Sequence, residues 1–175
     1  IGTPCNVYGS MQDHGSFRAP GDLSRGRHRI PAQAFEGAPG GEGSNHAIDP
    51  GNPSVVYSAG FYGTISRAEY DKPGAAPGRP FSKSLLPRSF PNEPRLRGQW
   101  LAPFILSPHN PDIVYHGMQF LFRSLDRGDT WERISPDLSA GVPAELGDIP
   151  YQTLFAISES LLRAGLIYAG TDDGR

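Results

Sequence analysis

The feature that most constrains the fold is a tyrosine-containing segment that recurs four times along the 175 residues. In each copy an aliphatic residue precedes the tyrosine and a hairpin turn follows it. The anchor residues are Tyr8, Tyr57, Tyr115 and Tyr168, at spacings of 49, 58 and 53 residues. A period of that length is typical of a repeated four-stranded unit. The sequence therefore predicts a series of similar antiparallel sheets.

Each unit has the same predicted order of elements. A first strand such as "PFILSP" leads through a Pro/Asn turn to the tyrosine strand, and a tight hairpin leads to a third strand such as "LFRS". Another turn and an outer strand complete the unit. We therefore expect an all-β fold, a β-propeller of four-stranded blades of which about three are present. The predicted blades span 41–98 and 99–147, with partial blades at 1–40 and 148–175.

Both ends of the chain fall inside a predicted blade. A closed propeller needs about four blades or more, so the chain alone would leave sheet edges unpaired. We therefore expect a segment of a longer propeller, or one that pairs with other protein subunits. Residues 71–97 are rich in proline, glycine and basic residues and predict one outer strand followed by a long loop.

Composition agrees with a β protein that has many turns. The chain contains 22 glycines and 18 prolines, and only 19% of its residues are charged. These proportions favour tight turns over helices. The net charge of −2 and the lack of a basic run argue against a nucleic-acid partner. No apolar run is long enough for a transmembrane segment, and the single cysteine, Cys5, excludes an internal disulfide.

The most ordered motif is "SLDRGDTW" at residues 124–131. Gly128 can adopt the positive φ of a tight turn, and Asp126 can accept hydrogen bonds from nearby backbone N–H groups. Ser124 and Thr130 can add hydroxyl hydrogen bonds, and Trp131 begins a strand with a large ring to bury. Each residue has a use inside the turn, so the motif predicts a structural element and not an active site.

This motif resembles the Asp-box, also called the BNR repeat. Together with "LSPHNPDIVYHGMQF", "LIYAGTDDG" and "GGEGSNHAIDPGNPSVVYS", it is similar to large secreted bacterial propellers of the sortilin-like class, many of them labelled glycosyl hydrolases. The resemblance covers most of the chain except 71–97. It implies a secreted, periplasmic or cell-surface protein. It also implies that the motif lies between the third and fourth strands of a blade, away from the ligand. In the second unit "SRAEYDKPG" occupies that place.

Blade geometry predicts which loops can form a site. In a propeller, the hairpins between second and third strands share one face with the connections that lead into each blade. The Asp-box turn lies on the opposite face. Since loops on a rigid scaffold often carry function, the hairpin face is the candidate site. The residues expected on it are Asp13, His14, Glu42, Tyr62, Trp100, Gln119, Asp148, Tyr151, Asp172 and Asp173.

Two functions fit this face. The first is a non-catalytic binding or assembly propeller that holds a protein or glycan partner, since no complete catalytic constellation is visible. The second is a glycoside hydrolase resembling the xyloglucan-cleaving Asp-box propellers, which needs two carboxylates roughly 5 to 9.5 Å apart. The candidate pairs are Asp13 with Glu42 and Asp148 with Asp172, and Trp100 could stack on a sugar. Turn preference explains these carboxylates equally well, so whether the chain is an enzyme stays open.

Two other kinds of site are not predicted. Residues 29–31, "RIP", match part of a sialidase motif whose arginine binds the substrate carboxylate. His28 replaces the preceding aromatic residue and no further arginines complete the cluster, so we do not predict a sialidase. The five histidines lack the spacing of metal ligands, and we predict neither a metal nor a cofactor.

Overall fold

The fold consists of small antiparallel sheets. No α-helix occurs in the described parts of the chain, so the all-β prediction is confirmed. No helix in those parts has the length and apolar character needed to cross a membrane. The computed structural model describes residues 5–21, 26, 28–29, 35–76, 79–93, 95–141 and 151–175.

Four sheets follow one another along the chain, and in each sheet consecutive strands are neighbours. The first contains β1 (Asn6–Met11), β2 (Gly15–Pro20) and β3 (Glu36–Gly37). The second contains β4 (Asn45–Ile48), β5 (Val55–Ala59), β6 (Ile65–Glu69) and β7 (Phe81–Ser84). The third contains β8 (Phe104–Leu106), β9 (Val114–Gly117), β10 (Leu121–Ser124) and β11 (Glu132–Arg133). The fourth contains β12 (Leu154–Glu159) and β13 (Ile167–Thr171).

A tyrosine faces an arginine across the same strand pair in the first three sheets. The antiparallel pairs are Tyr8 with Arg18, Tyr57 with Arg67, and Tyr115 with Arg123. The fourth anchor, Tyr168, lies on β13 opposite Ser158 of β12. The tyrosine repeat in the sequence therefore corresponds to a repeat in strand pairing.

The core lies between neighbouring sheets. All residues of β5 and of β9 are buried, so both faces of these two strands are covered by the protein. One cluster joins Tyr57 and Leu85 of the second sheet region to Phe104 of the third. Another joins Tyr115 to Leu154 at the start of the fourth sheet. The first strands of these sheets also adjoin, β4 with β8 and β8 with β12.

His116 connects the second and third sheets. It is fully buried on β9, and its Nε2 lies 2.8 Å from the carbonyl oxygen of Gly63. Because that oxygen only accepts, Nε2 carries the proton and donates. Burial lowers the pKa of His116 to about 4, and the hydrogen bond to the Gly63 backbone partly opposes this shift. The imidazole is therefore neutral near pH 7.

We predict that mild acid destabilises the fold through His116. The folded-state pKa lies below the ordinary value of 6.5. The stabilisation from the neutral imidazole is therefore complete above that value and is lost as the pH falls toward the folded-state pKa. The loss should amount to about 3 kcal/mol. Denaturant unfolding at about pH 7.5 and about pH 4.5 measures it.

The matched variant is His116→Gln, whose amide can still donate to Gly63 but does not titrate. Its free energy of unfolding should be lower than that of the wild type at neutral pH and should change less between the two pH values. An equal change in both proteins would contradict the assignment.

Candidate functional site

Three aromatic rings cluster beside the β5–β6 hairpin. Phe61 and Tyr62 belong to the 3-10 turn Phe61–Gly63, and Trp100 precedes β8. The ring centroids of Phe61 and Trp100 lie 4.2 Å apart, and those of Tyr62 and Trp100 lie 5.3 Å apart in an edge-to-face arrangement. Trp100 is 44% exposed and Tyr62 is 43% exposed. The rings therefore fix one another while keeping much of their surface in solvent.

Close backbone contact holds this cluster in place. The backbone N–H of Tyr62 donates to the carbonyl oxygen of Gln99 at 3.1 Å. A Cβ on Gly98 would lie 2.5 Å from the backbone nitrogen of Gly63, so only glycine fits there. Tyr62 itself has φ 57°, a left-handed conformation that costs a residue with a side chain about 1 kcal/mol or more. The contact between the two loops keeps Tyr62 in this conformation.

A cleft of about 510 Å³ opens beside Tyr62. This volume lies in the range of about 300 to 1,000 Å³ that is common for small-ligand sites. Phe61 and Tyr62 form one wall and the segment 40–42, which ends in Glu42, forms another. The floor is a row of serines in register across three strands: Ser58, Ser66 and Ser84. The cleft thus combines aromatic faces, hydroxyl groups and one carboxylate.

Asp13 and Glu42, the first candidate carboxylate pair, come together at one edge of this site. Asp13 is at the tip of the β1–β2 hairpin with φ 62°, and its backbone N–H donates to Oε2 of Glu42. In the same hairpin Nδ1 of His14 lies 2.9 Å from the carbonyl oxygen of Gln12. Glu42 therefore supports the hairpin from the neighbouring connection. A catalytic role for the pair stays a prediction.

Asp172 and Asp173 stabilise loops on the same face. Asp172 accepts hydrogen bonds from the backbone N–H and hydroxyl of Thr153, at 2.9 and 3.0 Å, and from Nε2 of Gln99 at 2.8 Å. Asp173 accepts from the hydroxyl of Thr171 and from a backbone N–H, and these hydrogen bonds lower the pKa of Asp173. Both carboxylates are thus occupied by the protein itself.

The remaining predicted site residues differ in exposure. Gln119 is buried: its side-chain oxygen accepts from the Arg97 backbone N–H at 2.8 Å, and its nitrogen donates to the Arg95 carbonyl oxygen at 3.1 Å. Its amide therefore fastens the loop before β8 and is covered by it. Tyr151 is exposed just before β12. Asp148 and two residues of "RIP", 30 and 31, lie outside the described residues.

The turn at residues 124–131 satisfies its own polar groups. Asp126 accepts from the Thr130 backbone N–H at 2.8 Å and from the Thr130 hydroxyl at 2.6 Å. Ser124 donates to Asp126 at 2.8 Å and accepts from the Gly128 N–H at 2.7 Å. Hydrogen bonds, those from Thr130 first, lower the pKa of Asp126 to about 2. The motif residues are thus used within the turn.

Two further residues of the turn, Arg127 and Asp129, bind the second sheet. Arg127 forms an ion pair with Asp49 at 2.9 Å, and its carbonyl oxygen accepts from Nη1 of Arg67 at 2.6 Å. Asp129 lies 3.1 Å from Arg67 and 2.9 Å from Lys83. The sequence analysis gave no role to Arg127 or Asp129, so this second role of the turn was not predicted. The turn therefore connects two sheets as well as two strands.

The 124–131 turn packs against Leu85, the residue after β7. The indole Nε1 of Trp131 donates to the Leu85 carbonyl oxygen. Gly128 is buried with φ 89°, and a Cβ there would lie 2.6 Å from Cδ1 of Leu85. Gly128 thus meets both a backbone and a packing requirement.

We predict that Gly128→Ala destabilises the fold by about 2 to 4 kcal/mol, because the backbone cost of a left-handed alanine adds to the clash with Leu85. Gly74→Ala is the matched control, since Gly74 has φ 96° but no atom within 4 Å of a Cβ. It should lose about 1 to 2 kcal/mol from the backbone effect alone. Denaturant unfolding measures both, and equal losses would contradict the importance of the Leu85 contact.

Comparison of the chain with protein-family models, with curated proteins and with solved structures gave no match.

Proposed function

We propose that the chain forms blades of a β-propeller of the Asp-box class. Support comes from four successive sheets in which each strand pairs with the next in chain order. The first strands β4, β8 and β12 adjoin in series, as the inner strands of propeller blades do. The 124–131 turn joins β10 to β11, the third and fourth strands of its sheet. By its resemblance to secreted propellers, the protein acts outside the cytoplasm.

The proposed function is non-catalytic binding of a glycan in the cleft beside Tyr62. The observation that carries it is the aromatic wall of Phe61 and Tyr62, against which Trp100 packs, beside a row of serines. Two of these serines, Ser66 and Ser84, keep exposed surface. A sugar ring has apolar C–H faces and a rim of hydroxyl groups. It therefore matches an aromatic wall above a hydrogen-bonding floor.

Binding without hydrolysis fits the state of the carboxylates. Glu42 accepts a hydrogen bond from the Asp13 backbone, and Asp172 accepts three from neighbouring loops. A glycosidase needs two carboxylates that flank the scissile bond and are free to exchange protons with it. Glu42 and Asp172, one member of each candidate pair, instead support neighbouring loops.

A second cleft of about 520 Å³ lies between the 124–131 turn and residues 83–90. Two of its charged groups already pair with each other, since Nζ of Lys83 lies 2.9 Å from Asp129. The Thr130 hydroxyl is likewise bonded to Asp126. Two of the polar groups in this cleft are therefore already used by the turn that joins the second and third sheets.

The test is titration with soluble xyloglucan and β-glucan oligosaccharides, followed by calorimetry and by mass analysis of the sugars. We expect binding with no shortening of the oligosaccharides. Tyr62→Ala and Trp100→Ala should each weaken binding about tenfold, the equivalent of about 1.4 kcal/mol. The control is Phe155→Ala, which removes an exposed ring from β12 in the fourth sheet and should bind as the wild type does.

Two results would overturn the proposal. The absence of binding to every oligosaccharide in the series would remove the glycan as ligand. Release of shorter sugars that stops in Glu42→Gln would instead establish the hydrolase hypothesis.

A further inference from the structure

The cleft beside Tyr62 carries negative charge that the described part of the chain does not neutralise. Glu42 lines the cleft, and Asp13 lies at its edge, where the Asp13 backbone N–H donates to Oε2 of Glu42. No lysine, arginine or histidine among the described residues forms an ion pair with either carboxylate. A hydrogen bond from a neutral backbone group fixes a carboxylate but does not cancel its charge. One edge of the cleft therefore holds two carboxylates without a basic partner.

The carboxylates between the second and third sheets are different. Asp49 pairs with Arg127 at 2.9 Å, and Asp129 lies within 3.1 Å of both Arg67 and Lys83. The protein thus pairs acidic side chains with basic ones where these sheets meet and leaves the two at the cleft without such a partner. Their charge is free to attract a ligand.

The walls and floor of the cleft add no positive charge. Apart from Glu42, its described lining residues are glycine, serine, threonine, isoleucine, phenylalanine and tyrosine. The faces of aromatic rings are electron-rich and attract a cation that lies over them. Tyr62 and Trp100 pack edge to face and are both partly exposed. The rings and the carboxylates therefore favour the same kind of ligand, one with a positive charge.

A third carboxylate adjoins the aromatic rings. The carbonyl oxygen of Gln99 accepts from the Tyr62 N–H, and Nε2 of Gln99 donates to Asp172 at 2.8 Å. The other two hydrogen bonds that Asp172 accepts come from Thr153, so all of its donors are neutral. Asp172 therefore adds negative charge on the loop that holds the rings in place.

We propose that the cleft beside Tyr62 binds glycans that carry protonated amines, such as oligosaccharides of glucosamine, more tightly than neutral glycans. This inference rests on the glycan binding proposed above and names the class of sugar. The ammonium group of the sugar binds the Glu42 carboxylate, and the sugar ring packs against the aromatic wall.

The probes are cellotetraose and the tetramers of glucosamine and of N-acetylglucosamine, which share one backbone and differ in a single hydroxyl, amine or acetamide group on each sugar. Calorimetry at about pH 6.5, where such amines are protonated, measures their affinities. The glucosamine tetramer should bind about fivefold more tightly than the other two. This preference should decrease as the salt concentration rises from about 50 to about 300 mM, because salt screens charges at partly exposed sites.

Glu42→Gln removes the charge but keeps a side-chain oxygen that can accept from the Asp13 N–H. It should reduce the preference for the glucosamine tetramer to about twofold. The matched control is Glu132→Gln, which removes a negative charge from β11 of the third sheet, where Glu132 pairs with Arg123. Its preference should equal that of the wild type. The thermal unfolding midpoints of both variants are measured alongside.

Three results would count against the proposal. Binding of cellotetraose with no preference for the glucosamine tetramer would overturn the selection of charge and leave glycan binding intact. A preference that stays the same in Glu42→Gln and in high salt would show that the carboxylates do not cause it. Absence of binding to all three tetrasaccharides would overturn the selection of charge, and absence of binding to the xyloglucan series as well would also overturn glycan binding.

Discussion

The contact between the 124–131 turn and the second sheet is the interaction on which the described structure depends. A sheet of three or four short strands cannot bury both of its faces alone, so each needs a neighbour. Asp129 reaches two basic side chains of the second sheet, Arg67 and Lys83, and Gly128 lies against Leu85. Hydrogen bonds within the turn fix the backbone at Asp129, so that its carboxylate reaches both basic side chains. Local turn chemistry therefore determines how two sheets pack.

The second sheet links this contact to the candidate site. Successive side chains of a strand point to opposite faces, and β6 shows this with neighbouring residues. Ser66 lines the cleft beside Tyr62, and Arg67 binds the 124–131 turn of the third sheet. The proposed ligand site and the contact with the third sheet are thus two faces of one sheet. A rigid sheet at this position keeps the serine row flat and in register.

The sequence predicted the strands better than it predicted the loops. The tyrosine repeat correctly placed four similar strands, because an aliphatic–tyrosine pair followed by a hairpin turn is a local signal. Gln119 was expected on the hairpin face because it lies at a hairpin tip, yet the loop at 95–97 covers it. That cover comes from a segment without a periodic pattern. The serine row was also missed, since Ser58, Ser66 and Ser84 align only once the strand register is known.

The close contact between Gly98 and Gly63 restricts both positions to glycine. Neither position can gain a side chain without pushing the two loops apart, because a Cβ on Gly63 would also meet Met118 at 2.5 Å. The rings of Tyr62 and Trp100, each less than half exposed, pack against each other beside this contact. A substitution at Tyr62 therefore changes a ring that lines the cleft, while the contact between Gly98 and Gly63 still holds the two loops together.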